Sequence, residues 1–159
     1  EARKNIKWIR SIIQKDVEIA IENNNYLPAE SYDIVTDGKF LSKIVFDNKI
    51  NFLFDLAHAQ VSAKNKNIYE DEYINSLPMR NLIQIHICKP IIPDNGVAYD
   101  AHEAPNQKMF EDVVKIIKNF PTVKFLTIEY YKDHEILIKS LRSLKHILNS
   151  KLLINSLNG

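Results

Sequence analysis

Four short apolar runs punctuate the chain: "VEIAIE" (17–22), "INFLFDLA" (50–57), "LIQIHI" (82–87) and "VKFLTIEY" (123–130). Each is rich in Ile, Val, Leu or Phe and too short for a helix of usual length. Near-continuous apolarity of this kind predicts strands covered on both faces, as in a parallel sheet. Between them lie segments with helical periodicity. "RKNIKWIRSIIQ" precedes the first run and "DGKFLSKIVFDN" (37–48) follows it. "NIYEDEYINSL" (67–77), "NQKMFEDVVKIIKNF" (106–120) and "DHEILIKSLRSLKHILNS" (133–150) come in turn. Apolar residues three and four apart predict amphipathic helices facing a sheet. The strand starts are spaced close to the ~30 residues of a βαβ unit, so the expected fold is α/β, with a parallel sheet and right-handed crossovers. The longest irregular stretch is 88–105, and long loops in compact domains tend to be functional.

Composition changes this picture mainly by exclusion. A chain of 159 residues, 45% hydrophobic and 26% charged, is expected to form one ordered domain over 1–159. A net charge of +1 gives no electrostatic case for nucleic acid or a membrane surface, and no apolar run approaches the ~20 residues of a membrane span. The one cysteine, Cys88, is expected to rule out an intrachain disulfide and a thiolate zinc site. With no signal-peptide pattern, the expected setting is the cytoplasm. Three glycines leave no glycine-rich phosphate loop.

The chemistry lies where the apolar runs stop. The first ends at Glu22, followed by Asn23 and Asn24. The second ends at Asp55, with His58 three residues on. The third carries His86, and the stretch after it supplies Asp100 and His102 in "VAYDAHEAP". The fourth ends at Glu129. In a parallel α/β fold the carboxyl ends of the strands share one face, which holds the active site. Seven ionisable residues are therefore expected to converge.

Four carboxylates brought together unpaired would repel and raise one another's pKa values. Divalent cations would offset that charge, and three imidazoles complete an oxygen/nitrogen set suited to iron, zinc or manganese. Any one of these residues alone reads as structural, Asp55 for example as a helix N-cap. All seven at the same end of successive strands make independent accidents the weaker account. Asn23 and Asn24 are candidates for substrate binding, with turn formation the plain alternative. Trp8 is expected in the core, Cys88 as a packing residue, and His134 and His146 as part-exposed positions on the last helix. "AKNKNIYEDEY" reads as a solvated loop and helix start.

Glu, then Asp-x-x-His, His, Asp-x-His and Glu follow the ligand order of the xylose-isomerase-like TIM barrels, endonuclease IV among them. More closely, "FLFDLAHAQVSAKN", "LPMRNLIQIHI", "YDAHEAP" and "LTIEYY" resemble the multinuclear non-haem iron-dependent oxidases. That resemblance implies a (β/α)8 barrel, two or three irons, and oxygen-dependent modification of a peptide, commonly at cysteine. It also implies a small partner protein that presents the substrate peptide. Glu22, Asp55, His86, Asp100, His102 and Glu129 match the family's ligand positions. His58 departs from it, since many of these oxidases have Asn there while endonuclease IV has His, and this leaves iron against zinc open.

A complete barrel needs eight strands and ~250 residues. The four βα units found here are expected to be its C-terminal half, completed by the same or another polypeptide. Three functions follow as expectations. The first is an iron-dependent peptide oxidase using O₂. The second is a zinc- or manganese-dependent hydrolase or sugar isomerase of the same superfamily. The third is a non-catalytic half barrel that retains its ligands by descent.

Overall fold

The computed structural model describes residues 1–152. Among them are seven α-helices and six strands. In chain order these are α1 (Ala2–Ile12), β1 (Ala20–Glu22), α2 (Glu30–Val35), α3 (Gly38–Asn48), β2 (Asn51–Asp55), α4 (Leu56–Lys66) and α5 (Glu70–Ser76). A 3₁₀ turn at Met79–Asn81 leads into β3 (Leu82–Ile87), β4 (Lys89–Ile91), β5 (Tyr99–Glu103), α6 (Gln107–Asn119), β6 (Phe125–Ile128) and α7 (His134–Leu152). Strands β1, β2, β3 and β6 form one sheet in that order, every pair parallel. This mixed α/β arrangement is compatible with part of an α/β barrel.

Side chains alternate across a strand, so register assigns each face. Phe52, Phe54, Ile85 and Ile87 are fully buried and join one core with Met109, Phe110 and Val113 of α6 and Leu144 of α7. The other face reads in rows. Glu22, Leu53, Gln84 and Phe125 are register neighbours, and Asp55, His86 and Thr127 form the next row toward the carboxyl ends. Described residues cover this second face only toward its carboxyl end, where Asp55 is fully buried; in the row below, Phe125 is 54% exposed. The apolar runs therefore do not signify strands buried on both sides within these residues.

Helix caps fix the connections. Asp37 Oδ1 accepts from Phe40 N–H at 2.7 Å to start α3, and Asn106 Oδ1 accepts from Met109 N–H at 3.0 Å to start α6. Asp55 Oδ1 accepts from His58 N–H at 2.7 Å, so α4 begins with no loop after β2. Capping of this kind answers orphan donors of the first turn.

Several expectations change here. Residues 56–66 form α4, where the sequence reads "AKNKN" as loop; only the end of the helix is polar, and Leu56, Ala57, Ala59, Val61, Ser62 and Ala63 before it are buried. The 88–105 stretch is not irregular: β4 and β5 pair antiparallel as a hairpin. The first strand is shorter than the 17–22 run, since Val17 N–H bonds back to Gln14 O in a turn. Trp8 is 64% exposed rather than core, because α1 buries Ile6 instead. His134 and His146 are exposed on α7.

One contact gives a stability prediction. A Cβ on Gly38, at the start of α3, would lie 1.9 Å from Ser76 Oγ and 2.9 Å from the Ser76 backbone carbon. Alanine favours a helix by about 1 kcal/mol over glycine, but the Ser76 backbone cannot swing aside. Gly38→Ala is expected to destabilise the protein by about 1–3 kcal/mol, read as a lower urea midpoint. An unchanged or higher midpoint would show that α5 shifts freely.

Candidate metal centre

The seven predicted residues meet at the carboxyl edge of the sheet. Six of them close a ring in which carboxylate and imidazole alternate. His86 Nδ1 is 3.3 Å from Glu22 Oε1 and 2.9 Å from Glu129 Oε1. Glu129 Oε2 is 3.5 Å from His102 Nε2, and His102 Nδ1 is 3.2 Å from Asp100 Oδ2. Asp100 Oδ2 is 3.4 Å from His58 Nε2, and His58 Nδ1 returns to Glu22 Oε1 at 3.8 Å. The seventh, Asp55, is fully buried, its Oδ1 3.9 Å from His58 Nδ1.

Each member is placed by its element. Glu22 and Asp55 end parallel strands, and Asp55 stands beside His86 in register. His58 projects from the first turn of α4, which Asp55 caps. Asp100 and His102 lie on β5 of the hairpin, and His102 adopts a left-handed backbone with φ 46°. His is among the residues that enter this region most readily. Asp100 Oδ1 accepts from His102 N–H at 3.2 Å, so a turned backbone, rather than simple strand alternation, brings the two side chains to one place.

The supporting contacts come from residues given plain roles in the sequence. Asn23 is fully buried; its Nδ2 donates to Asp55 O at 2.9 Å and its Oδ1 accepts from Asp55 N–H at 2.8 Å. Its own carbonyl, which can only accept, lies 2.8 Å from His58 Nδ1, so Nδ1 carries a proton and Nε2 faces Asp100. No exposed atom of Asn23 remains for a substrate. Asn24 is exposed, with Oδ1 accepting from Asn25 N–H at 2.8 Å in a local turn. Asn65 of α4 donates to Tyr26 O at 2.7 Å and Ala98 O at 2.9 Å, and accepts from Ala98 N–H at 2.8 Å. It thereby ties the loop after β1 to the hairpin. Lys132 Nζ clasps the far side, donating to Ala101 O at 2.8 Å and Glu103 Oε1 at 2.6 Å. Gln84, which the sequence does not flag, has Nε2 2.8 Å from His86 Nε2, and Cys88, read there as a packing residue, donates from Sγ to Asp100 Oδ1 at 3.2 Å.

Electrostatics follow from burial and crowding. Burial pushes the Asp55 carboxyl up to about 6, against the pull of His58. Burial lowers His58, but the hydrogen bond to Asp100 and the charge of Asp55 override it and raise the ring to about 9. Burial likewise opposes Asp100, yet His58 and the Cys88 thiol bring it down to about 2. His86 is raised, burial again being outweighed, here by Glu22 and Glu129.

Two atoms test whether a cation suits this set. Asp55 Oδ2 and His86 Nδ1 are buried and without a hydrogen-bond partner; Nδ1 approaches both glutamates closely, but off the axis a hydrogen bond requires. Unpartnered buried polar atoms are costly, and a cation would satisfy both. Glu22, Asp55 and His86 offer ligand atoms within 4.8 Å of one another, as do Cys88, Asp100 and His102, and Asp55, Cys88 and Glu129. The donor set, mostly oxygen and imidazole nitrogen, fits a transition metal. Rotation of the Gln84 amide so that its oxygen faces Nε2–H would leave the Nδ1 lone pair of His86 free as a ligand.

Fold and cluster together define a parallel α/β protein with candidate metal-ligand groups at its strand ends. The family model described as RiPP precursor modification enzyme MbnB/TglH/ChrH matches residues 2–149, and the chain belongs to that family of enzymes. No curated protein sequence matches it. Among the described residues no helix is long and apolar enough to cross a membrane.

Two outcomes are expected. Asn23→Ala removes partners from two buried main-chain groups of Asp55 and is expected to cost about 1–3 kcal/mol in urea denaturation, with lower metal occupancy. Wild-type values for both would show that the clamp is redundant. A ligand must be neutral imidazole or ionised carboxylate, whereas metal-free His58 stays charged to about 9 and Asp55 neutral below about 6. Apparent affinity for a divalent cation should therefore rise from pH 6 to pH 9, with protons released on binding at pH 7.5 in weak buffer containing an indicator dye. Affinity independent of pH would remove His58 from the ligand set.

Proposed function

We propose that this enzyme holds two or three iron ions at the ring of Glu22, Asp55, His58, His86, Asp100, His102 and Glu129, and uses O₂ to modify a precursor peptide at cysteine. The observation that carries the reading is the alternating carboxylate–imidazole ring with two buried ligand atoms, Asp55 Oδ2 and His86 Nδ1, that have no hydrogen-bond partner. Bound there, iron would supply oxygen activation and would acidify a cysteine thiol of the peptide.

The chain's own residues then do the holding and orienting. Asn23 fixes the Asp55 backbone and the ring orientation of His58. Asn65 and Lys132 hold the hairpin that carries Asp100 and His102. Glu22, His102 and Glu129 are the more exposed members, with side chains 37%, 32% and 27% accessible, so the peptide would enter on their side. The Asp55 side is closed by protein.

The same reading makes the sheet the C-terminal half of a (β/α)8 barrel. Among the described residues β1 and β6 each pair on one side only, and half-exposed Phe125 shares a face with the ligands. Further strands, from the same or another chain, would cover that face and remove two open edges.

Metal analysis and the electronic spectrum of aerobically isolated protein test the centre, and incubation with a cysteine-containing precursor peptide tests the reaction. Two or more irons per chain and an oxidised peptide are expected. Asp100→Asn should lower iron occupancy at least several-fold, because Asp100 Oδ2 stands between His58 and His102. Zinc alone, with phosphodiesterase activity, would overturn the assignment in favour of the hydrolase.

A further inference from the structure

Cys88 is the one thiol of the chain, and it points into the centre. It follows β3 two positions after His86, hence on the same face of the sheet, and it is fully buried. Sγ lies within 4.8 Å of ligand atoms of Asp100 and His102 in one group, and of Asp55 and Glu129 in another. It thus neighbours four of the seven ring and floor residues. The second observation is independent of the thiol. Asp55 is fully buried, its Oδ1 caps α4, and its Oδ2 has no partner, while one oxygen of that carboxylate lies within 4.8 Å of Cys88 Sγ. A buried carboxylate with an unpartnered oxygen, grouped with a buried thiol and a second carboxylate, is an arrangement that a cation would stabilise.

We propose that Cys88 is a thiolate ligand of one metal ion of the centre, bound together with carboxylate oxygens of Asp55 and Glu129. This rests on the reading of the cluster as a metal centre. One cysteine cannot build an all-thiolate site, but it makes one position of a mixed set chemically different from the oxygen and nitrogen position of Glu22, Asp55 and His86. A thiolate also biases that position toward iron or zinc over manganese or magnesium. On ligation the S–H proton, which now faces Asp100 Oδ1, leaves to solvent, and Asp100 Oδ1 keeps its bond from His102 N–H.

The competing role for Cys88 is a hydrogen-bond donor that merely steadies Asp100. Serine keeps a donor but not a sulfur, so Cys88→Ser separates the two, and Cys88→Ala removes both. The full chain and both variants would be loaded anaerobically with Co(II). Visible ligand-field bands report binding, and a near-ultraviolet sulfur-to-cobalt charge-transfer band reports the thiolate. No other thiol in the chain can produce that band. The expected result is the band in the wild type and its loss in both variants, with cobalt still bound at the oxygen and nitrogen position. Cobalt bound by the wild type without the band, or a band that survives in Cys88→Ser, overturns the thiolate and leaves the metal centre standing. No cobalt uptake by the wild type overturns both.

Discussion

A carboxylate with no access to water organises this end of the molecule. Asp55 is buried between β1 and β3, one oxygen engaged by the first turn of α4 and the other by nothing. Its main chain is clamped on both polar atoms by Asn23, which levels the ends of β1 and β2. Register then sets His86 beside it, and the cap sets His58 above it. A group that is so costly to desolvate persists where its neighbours over-determine it, and here those neighbours are themselves candidate ligands.

The hairpin closes what the sheet leaves open. Without β4 and β5 the strand ends and the start of α4 would present Glu22, Asp55, His58, His86 and Glu129 alone. The hairpin adds Asp100 and His102, and it is anchored twice, by Asn65 from α4 and by Lys132 after β6. The left-handed backbone at His102 turns the imidazole toward both Asp100 and Glu129. Local strain at such a position is a modest cost that the tethers on either side hold in place.

The sequence made some of this legible and left some hidden, for physical reasons. The parallel order of the four strands could be read from apolar runs at βαβ spacing, and β3 falls on 82–87 as expected. Convergence of the seven polar residues followed from one rule about strand ends, and the structure brings all seven together. The hairpin was missed because its strands are short, with few alternating apolar positions for periodicity to detect. Helix α4 was missed because it starts on the last residue of a strand, with no turn residue between. For Asn23 the sequence offers substrate binding or a turn; only tertiary geometry shows both ends of its amide bound to Asp55. Trp8 reads as core on the inner face of the first helix, yet α1 meets the body through Ile6.

The ring has a consequence for how its members are dissected. Every carboxylate in it stands between two imidazoles, and every imidazole between two carboxylates. Deleting one member therefore alters the field and the packing of two others, which in turn border the rest. Effects of paired substitutions around such a circuit do not sum. The energy of the site belongs to the circuit, and no share of it can be assigned to one side chain.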